Sequence, residues 1–272
     1  MKVLAILLGA ESAPACLDAA MLAATALPDP TVEALHVVVD PEKIVTSSEE
    51  VQFQRLREQR EGTAEQRAEA TRTAFVTWIN GADDAAPKVQ WRAVTGTEEQ
   101  TVCAEADEAD VLVLVLAPEH NMDSGDALHA AVFRSQKPVL VVPHDWRAGS
   151  RRSFAHIAVG MSDSAATQHA IESAGPWLRA AERVTAIRIG EQDDAALGMT
   201  RLLSELGTTP ELHIVAAQGS DLGAQIVAEA KSAGADLLVA GAYRHAQMIE
   251  WLMGGTTRHL LAAADIPLLM MH

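Results

Sequence analysis

The stretch GAYRHAQMIEWLMGGTTRHLL, residues 241–261, brings together residue types that can hold an anion. Gly241 closes an apolar run, and Gly254 and Gly255 stand just before Thr256 and a helix-like segment, RHLLAAA. Glycine lets backbone approach a ligand closely, and the free N–H groups at a helix start attract negative charge. A phosphate-binding turn is one chemistry these residues can perform. The same residues also make ordinary turns and helix caps, so both readings stay open at this level. Arg244 adds a guanidinium that would either clamp a phosphate or fill its place.

A second candidate is VGMSDSAA, residues 159–166, where Ser162 and Asp163 follow an apolar strand-like run. Its plain reading is a helix start. The chain carries no GxSxG, HExxH or GxxxxGK[ST] pattern, which sets aside the common hydrolase and P-loop chemistries. His245, His259 and His272 lack the close spacing of zinc ligands on one helix, and no metal is expected. His213, inside an apolar run, is expected to be a core histidine. Cys16 and Cys103 have no CxxC partner and read as small buried residues. Arg55, Arg57, Arg60, Arg67 and Arg72 alternate with glutamates, which predicts a solvated, charge-balanced helix face. Arg151 and Arg152 read as part of a polar linker.

These groups need a scaffold, and the chain supplies one in a repeated order. KVLAILLG, VEALHVVVD, KVQWRAV, DVLVLVLA and PVLVVP are strand-like runs separated by helical segments. Residues 49–80 read as one long solvated helix. After HDWRAGSRRS the same order returns with HIAVGMS, RVTAIRI, ELHIVAA, DLLVAGA and PLLMM. ADVLVLVLA at Ala109 matches ADLLVAGAY at Ala235, and KPVLVVPH at Lys137 matches IPLLMMH at Ile266, offsets of about 126 and 129 residues. Nearly continuous apolar strands alternating with helices predict an α/β fold of two doubly wound, five-stranded parallel-sheet domains, residues 1–145 and 154–272. Ligands in such sheets bind beyond the carboxyl ends of the strands, where the winding direction switches.

The spacing in residues 241–256 resembles the nucleotide loop of the universal stress protein family: glycine, two residues, glycine, nine residues, then glycine followed by serine or threonine. Gly241 and Gly254 fill the first and third glycine places at the expected separation. Arg244 fills the second, and Gly255 precedes Thr256, so the loop departs from the pattern at both points. A non-glycine residue at a positive φ costs on the order of 1 kcal/mol, so Arg244 alone does not exclude binding. The resemblance also covers strand order and segment lengths in most of both halves. It implies an adenine nucleotide hydrolase-like fold, tandem domains packed as an internal pseudo-dimer, and ATP with Mg²⁺ or another adenine nucleotide as ligand. Where the family usually carries an acid facing the ribose or adenine, this chain aligns Ser162, with Asp163 one place later. The first half puts Val115 in the place of Gly241 and Leu8 or Gly9 near the acid place, so it is expected to have lost the nucleotide.

The charge of -16 argues against nucleic acid as a partner, and 4% aromatic residues argue against a base-stacking platform. No apolar run reaches the ~20 residues of a membrane span, and the start is too short in apolar residues for a signal peptide. A cytoplasmic protein is therefore expected, and the resemblance implies a regulatory or protective role in the stress response, with at most slow ATP hydrolysis. The alternative is a scaffold without nucleotide that works through protein partners.

Overall fold

The computed structural model describes residues 1–44, 48–82, 88–116, 124–191, 194–219, 221–242 and 256–272. The first half contains β1 (Lys2–Ile6), α1 (Ala13–Ala24), β2 (Thr31–Val38), α2 (Ser48–Glu61), α3 (Ala64–Gly81), β3 (Val89–Thr95), α4 (Glu98–Ala106), β4 (Val111–Val115), α5 (Ser124–His129) and β5 (Val139–Val142). The second contains β6 (His156–Met161), α6 (Ala165–Ser173), α7 (Gly175–Ala180), β7 (Arg183–Ile189), α8 (Asp194–Glu205), β8 (Glu211–Val215), α9 (Leu222–Ser232), β9 (Leu237–Gly241), α10 (Thr256–Ala263) and β10 (Leu268–Met271).

The strands form one ten-stranded sheet in the order β3-β2-β1-β4-β5-β10-β9-β6-β7-β8. Within each half all pairings are parallel, and the halves join where β5 and β10 run antiparallel, Leu269 facing Leu140. The expected α/β architecture is therefore present, as two doubly wound halves fused through their last strands. Their registers correspond: Leu112 lies opposite Val139 in the first half and Leu238 opposite Leu268 in the second.

Each half also starts in the same way. Asp110, just before β4, accepts a hydrogen bond from the Lys2 N–H at 2.7 Å, and Asp236, just before β9, accepts from the N–H groups of Ala155 and His156. These carboxylates sit where a sheet must open, and they satisfy backbone donors that no strand reaches. They explain the acid in each Ala-Asp landmark. Burial raises the Asp236 carboxyl above the usual carboxylate range, although the two backbone donors oppose it.

The apolar runs are buried on both faces, as parallel strands require: Val111–Val115 of β4 and Leu237–Gly241 of β9 are buried throughout. One helical expectation needs correction, and two other helices depart from a simple form. Residues 49–80 form two helices, because Gly62 adopts a positive φ of 87° and Thr63 starts α3 with a capping box to Gln66. The helix after β6 breaks at Ala174, with Gly175 and Pro176 starting α7, a place where proline is tolerated. The segment after α5 continues as a π-helical turn, Ala130–Arg134.

The two halves share more than the strand junction. Trp177 of α7 is buried and donates its Nε1–H to the Ala23 carbonyl of α1 at 2.9 Å. Trp177→Phe keeps most of the ring but strands that buried acceptor. The expected loss of stability is about 1–3 kcal/mol, measured by urea unfolding.

Candidate functional site

The sheet offers two crevices at carboxyl ends of strands. In the second half β6 has β9 on one side and β7 on the other, so the chain winds away from β6 in opposite directions. This is the switch point at which ligands bind in open α/β sheets. Gly241 ends β9 there, Ser162 follows β6 there, and α6 begins beside both.

Gly241 has a packing reason to be glycine. A Cβ at this position would lie 2.6 Å from the Thr167 nitrogen and 2.7 Å from the Ala166 carbonyl carbon, both backbone atoms of the first turn of α6. No side-chain rotation can relieve that contact. The strand thus approaches the helix start as closely as two backbones allow, whatever binds nearby.

Ser162 faces the same helix turn. Its hydroxyl lies 2.6 Å from Thr167 Oγ1 and 3.2 Å from Ser164 Oγ, and Ser164 caps α6 by accepting from the Thr167 N–H at 3.1 Å. Thr167 is 1% exposed, whereas Ser162 and Ser164 are half-buried, so the hydroxyl cluster opens at its Ser162 end. Asp163, next to this cluster, is exposed. The aligned place is thus taken by a serine hydroxyl, which can donate to or accept from a neutral ribose-like hydroxyl. Arg188, which the sequence reading did not single out, is half-buried at the carboxyl end of β7, in register with Met161, and donates Nε–H to the Glu191 carbonyl. Its signal was an arginine one place before the end of RVTAIRI.

Beyond Gly241 the backbone of Ala242 is held at both ends: it donates its N–H to the Met271 carbonyl at 2.8 Å, and the His272 side-chain Nδ1 lies 2.9 Å from its carbonyl. Arg244, Gly254 and Gly255 lie outside the described residues. Thr256 is the first residue of α10. Of the predicted site residues, the structure brings Gly241 and Ser162 together around the start of α6.

The first half is built differently. Val115, fully buried, ends β4 in the place of Gly241. Its crevice is lined by the ends of β1 and β2 together with His36, Arg57, Arg67 and Glu98. Arg57 and Arg67 therefore correct the expectation of a wholly solvated helix face, since the Arg57 side chain is only 11% exposed. Arg67 donates to the carbonyls of Gly62 and Val39. His36 is buried, with Nδ1 2.8 Å from the Leu7 carbonyl and its ring stacked on Trp91. Two histidines elsewhere are also accounted for: His259 pairs with Asp221, and His213 is exposed and pairs with Glu229, not a core histidine as expected. Cys16 is buried and Cys103 only half so, and no metal-binding cluster is present among the described residues.

Residues 179–272 match the model of the universal stress protein family. The matched segment runs from the end of α7 to β10, and so includes Gly241, Arg244, Gly254, Gly255 and Thr256. No curated protein matches the sequence. Among solved structures, a universal stress protein from Archaeoglobus fulgidus is similar over 98% of this chain and 94% of its own, with 14% identity and a TM-score of 0.62. A putative universal stress protein from Pseudomonas aeruginosa covers 99% of this chain and 92% of its own, with 14% identity and a TM-score of 0.56. Both have the fold of this chain over nearly its full length. No helix among the described residues is long and apolar enough to cross a membrane.

Two outcomes test this geometry. Gly241→Ala forces backbone apart and should cost about 1–3 kcal/mol in urea unfolding. Gly198→Ala, in α8 with nothing within 4 Å of the new Cβ, should instead add about 0.5–1 kcal/mol. The second concerns pH. Burial holds the His36 imidazole below the usual histidine range; the Leu7 carbonyl opposes this, and Arg57 and Arg67 reinforce it. The unfolded chain therefore takes up a proton near pH ~6.5 that the folded chain refuses. Stability should be full above that pH and fall as pH drops through it towards the folded pKa, and His36→Gln should flatten the slope.

Proposed function

We propose that this chain is a tandem universal stress protein whose second domain, residues 154–272, binds one adenine nucleotide, with ATP and Mg²⁺ as the first ligand to test. The first domain, residues 1–145, serves as its internal partner and binds none. The observation that carries this reading is the meeting of Ser162 and Gly241 at the switch point of the second half, inside or beside the segment that matches the family model. In this arrangement the Ser162 hydroxyl faces the ribose side. Backbone groups of Gly241, Gly254 and Gly255, with the Thr256 hydroxyl, surround the phosphates. Arg244 is either a clamp on those phosphates or a plug in their place. Asp163, being exposed, takes a rim position.

The role that follows is regulatory or protective in a stress response, through the nucleotide-bound state and not through turnover. The hydroxyls of Ser162, Ser164 and Thr167 are not bases at neutral pH, so slow hydrolysis is the most that these three groups support.

A second reading has its own observation. Gly241 is required by the backbone of α6 alone, and the Ser162 hydroxyl already has partners within the protein. A scaffold that acts through protein partners would keep both residues without any nucleotide. Thermal unfolding with and without ATP and Mg²⁺ separates the two. Nucleotide binding predicts a melting temperature that rises with ligand concentration. In Arg244→Gly that rise should grow if the arginine is a plug and shrink if it is a clamp; no rise in either protein would support the scaffold.

A further inference from the structure

Among the described residues, the outer strand of the second half is the one strand that leaves large apolar side chains exposed. β8 ends the strand order, and among the described residues its outer edge pairs with no strand. Its residues Glu211 to Ile214 are exposed, including Leu212 at 39% and Ile214 at 37%, and Ala216 and Ala217 beyond it are exposed too. An apolar strand edge left open to water is a template for pairing with another chain.

The opposite edge of the sheet shows that this exposure is not imposed by the fold. There β3 exposes Gln90, Arg92, Ala93 and Thr95 but keeps its large apolar residues from water: Val89 is buried, Val94 is half-buried, and Trp91 packs against Phe75 of α3 and against His36. The first half spends two helices of 14 and 18 residues between β2 and β3, whereas the second spends only the 12-residue α8 between β7 and β8. Leu212 is in register with Ala186 and Ile214 with Arg188, which places both on one face. Ala186 belongs to the core that contains Leu203 of α8, so this is the face that α8 covers further in. His213 is on the other face, paired with Glu229 of α9. On this face Leu212 and Ile214 remain exposed, and Leu197 of α8 is itself 52% exposed.

We propose that β8 is the edge through which two copies of this chain associate, antiparallel to each other, so that one sheet runs through both. Two observations select a second copy as the occupant. The strand is self-complementary: antiparallel pairing centred on His213 sets Leu212 of one copy opposite Ile214 of the other, twice across the twofold axis. The edge is also electrostatically compensated within each copy, since Glu211 pairs with Arg183 at 2.6 Å and His213 lies 3.0 Å from Glu229. A chain of charge -16 meets its own copy with least repulsion where its acids are already paired. Five-residue strands alone bury less than the ~1,000 Å² of a stable interface, so the exposed α8 side must contribute, and the dimer should be concentration-dependent.

Sedimentation velocity of the full chain over a concentration series tests this. The expected result is a shift from 28.9 kDa to twice that mass as concentration rises. Ile214→Lys should raise the dissociation constant about tenfold or more, because it sets charge against an apolar partner, while leaving the melting temperature at low concentration unchanged. As a check that needs no substitution, amide exchange at residues 211–215 should slow as wild-type concentration increases. A wild-type chain that stays at the single-chain mass throughout, or a dimer unaffected by Ile214→Lys whose β8 amides show no concentration dependence, would overturn the proposal.

Discussion

The antiparallel pairing of β5 with β10 is the contact on which the rest of the molecule depends. Each half is a parallel sheet whose last strand would otherwise be an open edge, and a fully apolar one: Val139–Val142 is buried along its length, and Leu268, Leu269 and Met270 are buried opposite it. Joined, the two edges remove each other from water and turn two small sheets into one. The junction also explains why α1 and α7 meet, with Trp177 reaching the carbonyl of Ala23 across the seam. Because the pairing is antiparallel, the carboxyl ends of the strands in the two halves face opposite ways. The two crevices are thus held at opposite ends of the sheet, which lets one half keep a ligand site while the other changes its own.

That divergence is visible in particular residues. At the end of the fourth strand, Gly241 allows the start of α6 to touch backbone, whereas Val115 fills the corresponding place in the first half. Where Ser162 leaves a hydroxyl at a half-open crevice, the first half brings Arg57, Arg67 and Glu98 over the ends of β1 and β2. Arg57 and Arg67 come from the additional helical length of α2 and α3, and Glu98 from the start of α4. The longer helical connection therefore accounts both for the packing of Phe75 on Trp91 of β3 and for the arginines in the crevice of the first half.

Much of the fold was legible because parallel strands are buried on both faces. DVLVLVLA and DLLVAGA announce themselves by composition, and their matched offsets reveal the two halves. Helix breaks were less legible: the break at Gly62 and Thr63 is a local φ preference and a cap, easily overlooked inside a continuous charge pattern. His213 was misread because an edge strand and a central strand can share the same apolar composition, and only the sheet order separates them. The site was legible in part. Gly241 follows from spacing and Ser162 from the family resemblance, but the physical reason for Gly241 is the neighbouring helix backbone, which no spacing rule contains. Arg57 and Arg67 were hidden because a charge pattern alone does not say which face of a helix turns inward.

The central claim is that one half of this chain carries a nucleotide and the other does not. Calorimetric titration of ligand-stripped protein with ATP and Mg²⁺ measures that number directly. The account predicts a single site per chain. Two sites would contradict the division between the halves, and no heat at several temperatures would contradict nucleotide binding itself.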